Sequence, residues 1–167
     1  MVSAQDRWNL DEELSFISYD ANHFLHAWSG TNNKIKGVIL GNNINNLEKI
    51  AIGMLVSDFD SKNSSRDNNA LEILEVLKFP KIQFFSSEIL KDEDDLIFNG
   101  ELNFHGISIR KTIIAKVDIN DDFFILTGSF KLFLSEFKIT RPSFMMKKMD
   151  DNIDLRFELF FTPTDRI

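Results

Sequence analysis

Histidines and nearby carboxylates are the side chains of this chain with the clearest capacity for chemistry. His23 and His26 lie three residues apart, close to Asp20, and His105 is a candidate third member of the group. Imidazole and carboxylate ligands hold zinc in hydrolytic enzymes, so this set would suit a metal-dependent enzyme. On a straight strand, positions i and i+3 point to opposite faces, so His23 and His26 converge only if the chain bends there.

We therefore predict no metal and no cofactor, and keep the metal-dependent enzyme as an alternative. The expected role of His23 and His26 is polar: they would anchor the loop at Trp28 or touch a ligand head group. His105 lies on the polar side of its predicted strand, where a surface hydrogen bond explains it.

Other catalytic machinery has no support in the sequence. The chain has no Cys, no Gly-x-Ser-x-Gly elbow and no phosphate-binding glycine-rich loop. Arg110 and Arg141 are candidates for contact with a phosphate or quinone head group, although surface ion pairing is the simpler explanation. We predict a protein without enzymatic activity.

The composition narrows the class of protein. The 167 residues include 17 Phe but one Tyr, and the net charge is −7. Phe buries a large ring without a polar group, so the interior is predicted to be large and apolar. The negative charge argues against nucleic acid as a partner. No apolar run approaches the ~18 residues of a membrane-spanning helix.

Alternation of apolar and polar residues dominates the chain and predicts strands. Polar turn signals such as Asn120-Asp121-Asp122 separate these segments. About eight strands joined by short turns predict an antiparallel meander that closes as a lipocalin-like barrel. The predicted strands are 14–21, 34–40, 48–58, 81–89, 95–101, 101–109, 112–119, 123–135 and the final segment around 153–161.

One segment departs from this alternation. Leu71, Leu74 and Leu77 recur every three residues, which predicts about three helical turns with an apolar face. Pro80 forces Phe79 out of the helical region and is expected to end the helix. Such a helix cannot lie in the sheet, so we predict that it caps one end of the barrel as a lid. Its candidate N-caps are Ser65, Asp67 and Asn68.

Five motifs in a fixed order resemble the YceI-like family of lipocalin-like barrels, which is associated with polyisoprenoid or lipid binding. The resemblance covers residues 7–161 and implies an extended apolar ligand along the barrel axis, with the helix near one mouth. The motifs are Ser-Phe-Ile-Ser-Tyr (15–19) followed by His23, Gly30 and Lys-Gly-Val-Ile (36–39); the helix ending in Phe-Pro-x-Ile-x-Phe (69–84); Gly-Glu-Leu-Asn-Phe-His-Gly-Ile-Ser (100–108); Thr-Gly-Ser-Phe (127–130); and Glu-Phe-Lys-Ile-Thr-Arg-Pro-Ser-Phe (136–144).

The sequence departs from that family pattern in two places. Ser108 stands where Thr is usual, which leaves the expected fold unchanged. Residues 145–149 replace a more polar stretch before the last strand, which leaves the ligand open. We expect Met145, Met146 and Met149 either to line a tolerant mouth or, more simply, to fill space in a loop.

The inward positions of the predicted strands form the candidate cavity wall. The strand pattern alone fits a solid core and an open cavity equally well. The family resemblance favours a cavity that holds a long apolar ligand. The candidate wall residues are Ile17, Tyr19, Phe84, Leu102, Phe104, Phe130, Leu132, Phe157 and Leu159.

We therefore predict a non-catalytic carrier for a polyisoprenoid, a quinone or a fatty acyl lipid. A second alternative is a protein-interaction module that recruits a partner through the apolar lid. Outward-facing Phe85, Phe133 and Phe160 could mark the face of a homodimer.

The domain and compartment expectations depend on the N-terminus. We predict one domain over residues 7–161, with residues 1–6 a leader remnant or a frayed terminus. Val2-Ser3-Ala4 before Gln5 has the small-x-small pattern of a signal-peptidase site, which favours a periplasmic or secreted protein. A cytoplasmic protein is the alternative.

Overall fold

The computed structural model describes residues 5–164 and contains twelve strands and one α-helix within that range. The proposed leader cleavage site at residues 2–4 lies outside the described residues. The strands are β1 (Asp6–Leu10), β2 (Phe16–His23), β3 (His26–Asn32), β4 (Ile35–Asn43), β5 (Asn46–Leu55), β6 (Lys81–Asp92), β7 (Asp95–Phe104), β8 (Ile107–Asn120), β9 (Phe123–Phe133), β10 (Ser143–Phe144), β11 (Lys147–Lys148) and β12 (Asn152–Pro163), and the helix is α1 (Ser64–Ile73).

Strand β1 closes the sheet because it pairs on both sides. Trp8 lies opposite Ile39 of β4 and opposite Pro163 of β12. Every pairing is antiparallel, and the closed order is β1-β4-β5-β6-β7-β8-β9-β12. This confirms the predicted eight-stranded antiparallel barrel with one helix. Strand β2 continues along the edge of β12 next to β1, and β3 pairs with β2.

The two ends of the barrel differ in structure. The β4–β5, β6–β7 and β8–β9 turns lie at one end, where Trp8 meets Phe124 edge-on at 5.9 Å and Phe124 stacks on Phe161 at 5.4 Å. Phe124 and Phe161 are completely buried. The long connections after β5 and β9 leave from the opposite end, so α1, the β2–β3 turn and the β10–β11 hairpin gather there.

Several predicted strand limits were wrong. The segment predicted as strand 101–109 is divided by a turn at His105 and Gly106, whose φ angles are 53° and 71°. Residues on its two sides belong to β7 and β8, and 112–119 continues β8. Strands β1 and β3 were not predicted, and Asp6, assigned to the leader or frayed segment, begins β1 opposite Gly41.

The helix is shifted toward the N-terminus relative to its prediction. It begins at Ser64, because the Asn63 side chain accepts a hydrogen bond from the Arg66 N–H at 3.0 Å and caps it. The predicted caps Ser65, Asp67 and Asn68 therefore lie inside the first turns. The helix ends at Ile73, before Pro80, because Glu75 adopts a left-handed φ of 50°. Leu77 follows this turn and is fully exposed, so its assignment to the apolar face was wrong.

The outer face of the barrel carries a few large apolar side chains. Phe85 and Phe133 are exposed, whereas Phe160 is half-buried. The homodimer suggested for these residues stays a prediction. Within residues 5–164, no helix is both long and apolar enough to span a membrane.

Candidate ligand cavity

A cavity of about 560 Å³ runs inside the barrel. Its size lies within the range of pockets that hold a small organic ligand. All nine residues predicted for the wall lie on it, and their contact with a ligand stays a prediction. They are Ile17, Tyr19, Phe84, Leu102, Phe104, Phe130, Leu132, Phe157 and Leu159.

Three inward-facing glycines help to keep the barrel open. A Cβ atom built on Gly128 would lie 2.7 Å from Cζ of Phe157, its cross-strand partner. A Cβ atom on Gly100 would lie 2.8 Å from Cζ of Phe84. The rings therefore lie against the barrel wall over the glycines and leave the axis free. Sequence reasoning missed these glycines, although their inward position in the alternation could have identified them.

Gly30 forms the third such pair, with Tyr19. The two residues are cross-strand partners in β3 and β2, and a Cβ atom on Gly30 would lie 2.7 Å from Tyr19 Cζ. The ring also meets the Phe59 ring at a centroid distance of 5.7 Å. Tyr19 is therefore held flat against β3, at the end of the cavity nearest the helix.

The polar residues of the cavity wall are confined to one end, which we call the mouth. The mouth is bounded by α1, the β2–β3 turn and residues 142–149. The opposite end is blind, because the Trp8, Phe124 and Phe161 rings fill the barrel there. The cavity is thus amphipathic along its axis. The polar wall residues at the mouth are His23, His26, Asn63, Ser65, Arg66, Asp67, Asn69 and Ser143.

Electrostatics at the mouth centre on Tyr19. Burial raises the pKa of its phenol, and the negative charge of Asp67 raises it further. The Trp28 indole and the Arg66 guanidinium act in the opposite direction on that pKa. The Arg66 guanidinium lies 5.5 Å from the centre of the Trp28 ring, and Asp67 accepts hydrogen bonds from the N–H and hydroxyl of Ser61. Arg66, Asp67 and Tyr19 therefore place one cation, one anion and one phenol together at the mouth.

The lid contributes apolar as well as polar groups to the cavity. Leu71 and Leu74, predicted for its apolar face, line the cavity together with Ala70 and Ile73. Leu77 does not. Leu71 in the last turn of α1, and Leu74 directly after the helix, therefore cover the mouth.

His23 has a structural role, because backbone groups occupy both nitrogens of its ring. Its Nδ1 accepts a hydrogen bond from the Leu25 N–H at 3.4 Å, and its Nε2 donates to the Lys147 carbonyl at 3.0 Å. Both nitrogens are therefore engaged by the backbone, and the His26 ring lies 5.8 Å away. Within residues 5–164, no group of three His, Cys, Asp or Glu side chains is arranged to hold a metal ion.

His105 is not the surface residue that the sequence predicted, since only 8% of its side chain is exposed. Its Nδ1 lies 2.8 Å from the Phe137 carbonyl and its Nε2 lies 2.7 Å from Oε2 of Glu75. The Phe79 ring packs against it at 4.7 Å. His105 thus fastens the β7–β8 turn to the chain that follows the lid.

The two candidate head-group arginines lie off the cavity wall. Arg110 is exposed on the outer face, where it is the cross-strand partner of Glu101. Arg141 donates a hydrogen bond to the Met149 carbonyl at 3.0 Å and lies 3.9 Å from Asp151. Arg141 therefore supports the base of the β10–β11 hairpin, and neither arginine is placed to meet a head group inside the cavity.

Only one of the three methionines takes an expected role. Met149 is buried and lines the mouth, as the tolerant-mouth interpretation requires. Met145 and Met146 point into solvent, so they neither line the cavity nor fill the loop. A cluster that looked uniform in sequence therefore has two different environments.

Solved structures with the same fold include proteins of low sequence identity. The chain matches Burkholderia cenocepacia BcnA with a TM-score of 0.81 at 16% identity, covering 90% of this chain and 98% of BcnA. It matches a polyisoprenoid binding domain from Saccharophagus degradans with a TM-score of 0.73 at 9% identity, covering 94% of this chain and 98% of that domain. These likenesses support the barrel fold.

A family model identifies the family, and sequence relatives agree with it. Protein YceI of Salmonella newport is 25% identical over 120 residues, which is 70% of this chain and 63% of that protein. The match thus spans less than two thirds of that relative's length. The family model of the YceI-like domain matches residues 8–161, nearly the whole sequence. The chain therefore belongs to the YceI-like domain family.

Proposed function

We propose that this protein is a non-catalytic carrier that holds one long apolar chain inside the barrel. The observation that carries this proposal is the amphipathic cavity, which is apolar and blind at one end and polar at the mouth. Burial of a chain contributes about 0.8 kcal/mol per CH₂, so affinity requires few polar contacts. The polar groups at the mouth would hold a small head group and orient the chain.

The cavity volume limits the length of the chain. A water molecule takes up about 30 Å³ of liquid and a methylene group is of similar size, so about 560 Å³ accommodates roughly 20 such groups. We propose a ligand of this class, either a single acyl chain or an isoprenoid of about four units. A much longer chain would extend beyond the mouth.

Two further considerations favour a carrier over the alternatives. The Saccharophagus degradans domain, which has the same fold, is described as a polyisoprenoid binding domain, and this supports an apolar ligand here. Leu71 and Leu74 face the cavity, which favours a lid over a surface that recruits a protein partner. We also propose, from the small-x-small N-terminal pattern, that the carrier acts in the periplasm or outside the cell.

Native mass spectrometry tests the proposal directly. The protein would be exported in a bacterial host, its mass measured without denaturation, and its ligand extracted with organic solvent and identified. We expect one isoprenoid or acyl lipid per chain. Protein at its bare sequence mass that also fails to bind added geranylgeraniol or palmitate would refute the carrier function.

A further inference from the structure

The β10–β11 hairpin has methionine where a tight turn favours other residues. Met145 and Met146 are the two turn residues, with φ angles of 52° and 65°. Positive φ at both positions favours Asn, Asp and Gly and disfavours larger side chains. Met145 is 67% exposed and Met146 is fully exposed, so packing within the chain does not offset this cost. Neither the turn conformation nor packing within the chain therefore accounts for two exposed methionines here.

The neighbouring β2–β3 turn presents apolar side chains in the same way. Phe24 and Leu25 occupy this turn and are each about half exposed, at 52% and 50%. Phe144, next to the methionines, is 57% exposed. We call these five residues the apolar tip: Phe24, Leu25, Phe144, Met145 and Met146.

Direct contacts join the two turns into one unit. His23 Nε2 donates a hydrogen bond to the Lys147 carbonyl at 3.0 Å, and the Asp150 N–H donates to the Asn22 carbonyl at 2.9 Å. The Phe144 ring lies 6.0 Å from the His23 ring. The apolar tip is therefore a single projecting surface.

Two lysines lie next to the apolar tip, although the whole chain has a net charge of −7. Lys147 and Lys148 follow the methionines, and the Lys147 ammonium lies 4.9 Å from the centre of the Phe24 ring. No acidic residue occurs between Arg141 and Met149, and the acidic residues Asp150 and Asp151 follow at the base of the hairpin, where Asp151 lies 3.9 Å from Arg141. Exposed aromatic and Met side chains flanked by lysines fit the interface of an anionic bilayer, which attracts each cation near its surface.

The apolar tip adjoins the mouth of the cavity. Phe144 of the apolar tip lines the mouth, and so does His23, which directly precedes Phe24. We propose that the apolar tip inserts into an anionic membrane surface and places the mouth against the bilayer. A chain could then pass between the bilayer and the cavity without crossing water. This passage rests on the proposed carrier function, whereas membrane docking itself does not require a ligand.

Vesicle flotation with delipidated protein tests docking by itself. Wild-type protein should float with vesicles of phosphatidylcholine and phosphatidylglycerol, and less with phosphatidylcholine alone. The double substitution Met145→Asn and Met146→Gly installs preferred turn residues, so it should preserve or raise the melting temperature. It should lower the vesicle partition coefficient roughly tenfold or more by removing the apolar groups. Lys148→Gln should lower it about fivefold, and only with anionic vesicles at low salt.

Leu90→Ser is the matched control, because Leu90 is 49% exposed on β6 near the blind end. It should leave flotation unchanged. Docking is overturned if wild-type protein does not float, or if the Met145→Asn, Met146→Gly variant floats like the wild type. It is also overturned if light scattering shows that the wild type is a dimer and that this double substitution abolishes the dimer. Failure of ligand binding with intact flotation would refute the carrier function and leave docking standing.

Discussion

Gly30 and Tyr19 face each other across β3 and β2, and the Tyr19 ring occupies the space that a side chain at position 30 would need. The distance from a Cβ atom on Gly30 to Tyr19 Cζ would be 2.7 Å. The same ring is part of the cavity mouth, so the absence of one methyl group at Gly30 determines where the phenol lies. Glycine at position 30 therefore leaves room for the Tyr19 ring and so determines the shape of the cavity mouth.

Gly30→Ala should displace the Tyr19 ring toward the cavity axis. We expect a loss of about 1–3 kcal/mol in the free energy of unfolding from overpacking, together with weaker binding of a C20 isoprenoid alcohol. Urea denaturation and a fluorescence binding titration measure the two effects. Gly53→Ala is the matched control, because a Cβ atom at Gly53 meets no other atom within 4 Å. Equal stabilities of the two variants would show that the contact with Tyr19 is unimportant.

Tyr19 is the single tyrosine of the chain, so its ionisation can be followed by absorbance. Burial and the charge of Asp67 raise its pKa above the ordinary value of 10.0, whereas Arg66 lowers it. Asp67→Asn should therefore lower the pKa of Tyr19, and Arg66→Gln should raise it. Shifts of the same sign in the two variants would contradict this arrangement of the mouth.

The raised pKa also determines how stability depends on alkaline pH. The folded state binds the phenolic proton more tightly than the unfolded state. The contribution of the Tyr19 phenol to stability is therefore complete at pH values below its pKa in the unfolded state. This contribution is lost as the pH rises through its pKa in the folded state. Urea denaturation from neutral to alkaline pH should show a steeper loss of stability for the wild type than for Tyr19→Phe.

Alternation predicted the barrel and the side of each strand that faces inward, since side chains alternate strictly along a strand. Phe104 and Phe157 could therefore be assigned inward positions from sequence. The same pattern does not report where the backbone conformation ends a strand or a helix. The predicted limits of one strand and of the helix were therefore wrong at the left-handed residues His105 and Glu75. Periodicity likewise could not separate an open barrel from a filled one, because that depends on which rings lie over glycines such as Gly128.

Long-range contacts were the least predictable part of the site. His105 and Glu75 are 30 positions apart, and no local pattern joins them. The head-group roles suggested for Arg110 and Arg141 rested on proximity to motifs, which does not report which way a side chain points. Arg66 and Asp67 were missed as mouth residues because the helix begins earlier than its leucine pattern suggests.

The contact between His105 and Glu75 should help to hold the chain after the lid. His105→Ala removes a nearly buried ring and leaves the Phe137 carbonyl without its partner, so we expect a loss of about 1–3 kcal/mol in the free energy of unfolding. Glu75→Ala should cost at most about 1 kcal/mol, because the Glu75 side chain is half exposed.

A double-mutant cycle with urea denaturation isolates this pair, and Glu72→Ala, an exposed position on the lid three residues before Glu75, serves as a control. Additive effects of Glu75→Ala and His105→Ala would show that the two side chains are not coupled.

Leu126 lines the cavity on β9, two residues from Phe124, a ring that fills the blind end. Leu126→Trp should shorten the space available to a chain while keeping the wall apolar. We expect geranylgeraniol to lose at least about tenfold in affinity, since the displaced methylenes return to water, and farnesol to lose less. Fluorescence titrations or native mass spectrometry with both alcohols measure the difference.

Phe85→Trp is the control for Leu126→Trp, because it enlarges a side chain on the exposed outer face of the barrel. It should leave both affinities unchanged. Equal losses for the two alcohols in Leu126→Trp would mean that chains do not reach the blind end, and the limit on chain length would then be wrong. A loss confined to the longer chain would place its terminus beside Leu126 and fix the direction in which it enters.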